Sequence, residues 1–187
     1  MLRIKTVWFR KDGDSRGAKE TAGAIASILW RLSDRAMINL PKADYDIITP
    51  QRGFTIMAEL MAFMVHLCDR MLYDRVDEDQ RTPMIQALAK RLAEIIEDNI
   101  HTVVGDHDHP YQDDIVSLFN KRSADYATFD FIPEKPNFAV LRCLGNHIRE
   151  TMEERDQPWI IDQIMELEIP KIVETVRKTV DGLLNQP

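Results

Sequence analysis

What this 187-residue chain has little of narrows it first. Seven glycines are too few for strands joined by tight turns, which draw on glycine for positive φ. No G-x-x-x-x-G-K-[ST] or G-x-G-x-x-G occurs, so no glycine-rich loop of known pattern is there to cradle phosphates. C-x-x-C is missing as well. The two cysteines, Cys68 and Cys143, lie far apart in apolar helical surroundings. They read as small buried hydrophobes in a reducing compartment, not as a disulfide framework or a metal knuckle. The start of the chain lacks the apolar stretch and small-residue cleavage site of a signal peptide. The longest apolar stretch, residues 57–68, is too short to cross a bilayer and is interrupted by Glu59 and His66. Together these absences point to a cytoplasmic protein that needs no membrane.

Charge is present in quantity but unevenly. The formal net charge is −7, which repels phosphate and disfavours nucleic acid as the main partner. Residues 1–19 run the other way, with Arg3, Lys5, Arg10, Lys11, Arg16 and Lys19 against Asp12 and Asp14, a net +4. The segment reads as a solvated start of the chain. The sharper reading is a basic arm for an anionic partner or for an acidic patch on a second subunit.

The strongest positive signal is hydrophobic spacing. Ala18, Ala22, Ile25, Leu29, Leu32 and Ala36 recur at three- and four-residue steps, which predicts a helix over residues 15–38. Residues 54–76 are apolar on nearly every side and include Met57, Met61, Met64 and Met71. Such a helix sits at the centre of its bundle or is covered by a second subunit. The methionines read as core. A third stripe, Met84 to Val103, lies within residues 78–103, with Pro83 expected in its first turn. The string Asp106-His107-Asp108-His109 reads as a turn, and Pro110 as the start of a fourth helix. A connector over residues 128–136 carries Phe129 and Phe131, which are expected to dock on the bundle. A fifth helix is predicted over residues 137–154. A sixth opens at Pro158 and must kink or divide at Pro170. The expectation is an all-α helical bundle of five to six main helices, one domain over residues 1–187, with the helix at about 54–76 in the middle. Residues 1–14 are left without an assigned structure.

Four polar residues interrupt the apolar second helix on one stripe: Glu59, His66, Asp69 and Tyr73. His66 and Asp69 are neighbours across a turn, and His147 with Glu150 repeats that spacing on the fifth helix. If the two helices face each other, His66, Asp69, His147 and Glu150 bring imidazole and carboxylate together, a set that suits a divalent transition metal. The plainer reading is a core histidine held by Asp69 or Glu59, with Arg70 and Asp74 as an ordinary ion pair beside it.

The function expected from the sequence is therefore a non-catalytic interaction or assembly module acting as a homodimer, with a protein partner and without a cofactor. A metal-binding bundle or metal-dependent hydrolase built on His66/Asp69 and His147/Glu150 is the alternative. Regulation linked to nucleic acid comes third. Residues 15–52 lack a short second helix with exposed base-reading side chains, and Pro41 and Pro50 fall where a recognition helix would be needed.

Overall fold

Thr49 opens the helix that organises the molecule. Its backbone is extended, and its hydroxyl accepts the Arg52 N–H at 3.2 Å, while Pro50 supplies a first-turn residue that has no N–H to satisfy. In the computed structural model, which describes residues 15–47, 49–133 and 135–184, this helix is α2, Pro50–Leu72. Around it stand α1 (Ser15–Lys42), α3 (Glu78–Val104), α4 (Tyr111–Tyr126), α5 (Phe138–Arg149), α6 (Gln157–Asp162) and α7 (Ile169–Leu184). A π-helical stretch, Gln163–Glu168, joins α6 to α7. Among the described residues all regular structure is helical. The segment 1–14, including most of the basic arm, lies outside the described residues.

Every residue from 56 to 68 on α2 is buried, and α2 packs against α1, α3, α4, α5 and α7. The cover that its all-round apolar surface demands is thus supplied by the chain's own helices. Met57, Met61, Met64, Met71 and Met84 all lie in this core. Each such side chain contributes roughly 1.5–3 kcal/mol over leaving it in water. The ends of α2 are tied down by charge: Arg52 pairs with Glu153, and Arg75 meets Asp181 of α7 at 2.7 Å. Helix α3 ends where Gly105 turns left-handed at φ 79° and its N–H reaches the His101 carbonyl at 3.1 Å, a position suited to glycine. Phe129 and Phe131 dock on the bundle as expected. Phe131 lies 6.2 Å from the Phe63 ring.

Several boundaries differ from the pattern in the sequence, each for a local reason. Helix α2 starts at Pro50, not Phe54, because the Thr49 cap stabilises an extra turn of polar residues that carry no apolar stripe. It closes at Leu72, not 76. Helix α1 runs through Pro41 into its last turn. Pro83 sits beyond the first turn of α3; it and Asp79, whose carbonyl it leaves unpaired, are both exposed, so water can satisfy that oxygen. Helix α5 stops at Arg149, short of 154. There Thr151 and Met152 N–H groups reach back only three residues, to Ile148 and Arg149, and the helix unwinds. The last helix divides into α6 and α7 just before Pro170. The turn before it widens to the π form, with Ile169 N–H bonding to the Ile164 carbonyl, five residues back. That widening is one way to absorb a proline ring that cannot bond to Glu166.

Candidate functional site

Where α2, α4 and α5 meet, polar side chains converge. Glu59 projects from α2 and Arg122 from α4, and both are buried. Arg122 Nε donates to Glu59 Oε2 at 2.7 Å and Nη2 to Oε1 at 2.6 Å, a fork-on-fork pair. Its Nη1 donates to Asp125 Oδ2 at 3.2 Å. The bond to Glu59 holds the Arg122 guanidinium firmly charged, its pKa raised despite burial. Asp125 Oδ2 also lies 3.5 Å from His147 Nε2 on α5, and the Cys143 thiol lies 3.3 Å from that same nitrogen. Cys143 and His147 stand four residues apart and therefore share a face of α5.

An open cleft of about 430 Å³ lies over this cluster. Lys121, Arg122, Asp125 and Thr128, together with Phe129, Cys143, His147 and Glu150, line it. Behind it, the Tyr126 hydroxyl is buried without a hydrogen-bond partner. Burial, and next the Glu59 carboxylate, push that phenol well above its ordinary pKa.

The chemistry available here is limited by charge. Burial first, then Asp125, raises the Cys143 pKa. Burial first, then Arg122, lowers that of His147. Both shifts favour the neutral thiol–imidazole pair over the thiolate–imidazolium form that nucleophilic cysteines use. Cys143 and Asp125 also address one and the same ring nitrogen. Asp125 therefore cannot orient the imidazole from its far side, as the third member of a triad does.

His66, the residue that the apolar pattern of α2 singled out, sits deeper. Its ring lies 4.9 Å from that of Phe131 and 5.5 Å from that of Tyr126, and neither ring nitrogen has a hydrogen-bond partner. The holding of His66 by Asp69 or Glu59 that its spacing suggested does not form, because both carboxylates are engaged elsewhere. Glu59 is taken by Arg122, and Asp69 pairs with Arg81 of α3. Arg70 lies over the Tyr73 ring at 4.6 Å. Burial lowers the His66 pKa to about 4, opposed in part by Asp69 and helped by Arg70.

Of the four residues that the sequence grouped, His147 and Glu150 share the cleft, His66 lies among aromatic rings beside Tyr126, and Asp69 faces Arg81. Among the described residues no group of three or more His, Cys, Asp or Glu side chains is arranged to hold a metal ion. Cys143 is half-buried at the cleft, not a core hydrophobe like Cys68. Sequence reasoning passed over Arg122 and Asp125, because nothing in the charged run on α4 marks that Arg122, and not its neighbour Lys121, turns inward. It also passed over Gly13-Asp14-Ser15-Arg16-Gly17, which spells G-x-S-x-G. That string works as a nucleophile elbow at the top of a sheet, and the described residues contain no strand.

Comparison with protein-family models, with curated proteins and with solved structures found no match to the chain.

Proposed function

We propose that the chain is a non-catalytic interaction or assembly module that acts as a homodimer. The observation that carries this reading is where large apolar side chains stay in water. Among the described residues, Ile38, Tyr73 and Val103 are exposed singly, whereas Ile132, Phe138, Trp159 and Leu167, 60%, 65%, 70% and 51% exposed, all belong to the stretch running from the α4–α5 connector through α5 and α6 into the π turn. Helices α5 and α6 pack on each other, so this part of the bundle presents aromatic surface that a partner would cover. Burial raises the Cys143 pKa and lowers that of His147, which favours a neutral pair and supports a binding role over a catalytic one. Two free cysteines suit a cytoplasmic setting, and among the described residues no helix is long and apolar enough to cross a membrane.

Size-exclusion chromatography with light scattering tests the reading. A dimer at micromolar concentration is expected, and Trp159→Glu with Phe138→Glu shifts it to monomer without loss of helicity. A wild-type chain that stays monomeric over that range ends the proposal.

The alternative, a metal-binding bundle built on His66/Asp69 and His147/Glu150, has one observation in its favour: His147 and Glu150 border one cleft. Metal analysis of protein purified without chelator or His tag tests it. No bound metal, together with a Tm that zinc, manganese and iron leave unchanged, removes it. Regulation through nucleic acid predicts salt-sensitive binding that deletion of residues 1–19 abolishes.

A further inference from the structure

At the N-terminal ends of α2 and α4, beside the last turns of α3, the bundle leaves a hollow of about 190 Å³. Phe54 and Ala58 line it from α2, Ile96 and Ile100 from α3, and Ile115 and Leu118 from α4. Each pair is three or four residues apart and so shares one face of its helix. Ala58, Ile96, Ile100 and Ile115 are buried, which makes the floor apolar. Ala58 is the shortest of the six side chains, and a leucine in its place would fill the space. An apolar cavity of about 150 Å³ takes benzene. This hollow is large enough for one ring with a short chain. Mostly apolar clefts between helices, with a few polar groups at fixed places, are where bundles hold small molecules.

Polar groups reach the hollow at its rim, and its two hydroxyls are already committed. The Thr55 hydroxyl donates to the Gln51 carbonyl at 3.0 Å and the Tyr111 hydroxyl to Asp106 at 2.7 Å. Asp114 alone among the lining residues is charged. Its side chain is 67% exposed, which puts the carboxylate at the mouth and not on the floor. Its Oδ2 meets His109 Nε2 at 2.5 Å, and a carboxylate has room for further donors. No lysine or arginine lines the hollow. The mouth therefore favours a cation and repels an anion. Phe54 and Tyr111 add two aromatic rings to the wall, which favours a flat ring as the apolar body.

We propose that this hollow binds a small aromatic amine, with its ring held between α2, α3 and α4 and its ammonium group at Asp114. Apolar contact supplies the affinity. The exposed ion pair adds only a few-fold and sets the choice of charge. The site shares no residue with the apolar face of α5 and α6, so it does not depend on dimer formation.

NMR titration of the full chain, read at the Ile96, Ile100 and Ile115 methyl groups, tests the assignment. The probes are similar in size and differ in charge: phenethylamine hydrochloride, 2-phenylethanol and phenylacetate. Saturable shifts are expected with the amine, about two- to fivefold tighter than with the alcohol, and weakest with the acid. Asp114→Asn should bring amine and alcohol level. Ala58→Leu fills the floor and should abolish binding of all three. Thr55→Trp, at an exposed position on the rim, should do the same without touching the core, so loss of binding there reads the site and not the fold. Shifts that do not saturate, an alcohol or acid that binds as tightly as the amine, a preference that survives Asp114→Asn, or binding that persists in either folded blocking variant overturns the proposal.

Discussion

Acidification should unload stability through one residue, His66. Its ring is buried against Phe131 and Tyr126, and burial lowers its pKa from 6.5 to about 4. The unfolded chain takes up the imidazole proton near pH 6.5, whereas the folded chain resists it down to about 4. Below pH 6.5 the unfolded state therefore binds more protons, and folding free energy falls as pH falls. The slope is at most about 1.4 kcal/mol per pH unit, and the loss accumulated by pH 4 is about 3 kcal/mol. Above pH 6.5 the contribution is flat. Half of a typical domain's stability, roughly 5–15 kcal/mol in total, can hang on a term of this size.

Urea denaturation of the wild type and of His66→Leu at half-unit steps from pH 7.5 to 4.5 isolates the effect. Carboxylates and His147 titrate alike in both proteins and cancel in the difference. The leucine variant is expected to match or exceed the wild type at pH 7.5, since it replaces a ring with two unpartnered nitrogens by an apolar group of similar size. Its advantage should then grow by about 2 kcal/mol between pH 6.5 and 5. A stability difference that stays constant from pH 7.5 to 5 refutes the reasoning. It would mean that the ring is solvated or finds an acceptor.

Two further perturbations probe the packing. Arg122→Met leaves Glu59 charged, buried and without its partner, and should cost about 3–5 kcal/mol in chemical denaturation; the double change Glu59→Leu/Arg122→Met should recover most of that loss, and a double variant as unstable as the single one contradicts the account. Gly145 faces Ile161 of α6 so closely that an added Cβ would lie 2.9 Å from Ile161 Cγ2 and 3.3 Å from its Cα. Gly145→Ala should therefore lower stability by about 1–3 kcal/mol despite alanine's better helix propensity, and Gly145→Ala/Ile161→Val should regain part of it. A stabilised Gly145→Ala chain would show that α5 and α6 part freely.

Hydrophobic spacing by itself determined that this chain is helical and which helix is innermost. The period of apolar residues is a local property, and an all-round apolar α2 has only one low-energy place, surrounded by other helices. It also marked the methionines as core and the connector aromatics as docked. Helix ends were less legible, because the Thr49 cap, the unwinding after Arg149 and the π turn before Pro170 depend on hydrogen bonds between particular atoms. The site was legible only in fragments. Spacing put His66 beside Asp69, but tertiary packing sent Asp69 to Arg81, Glu59 to Arg122 and the imidazole in among aromatic rings. Each carboxylate took the cation that packing brought within reach. Which cation that is depends on how α3 and α4 lie against α2, a matter of three-dimensional contact between residues up to 63 positions apart that no local pattern encodes.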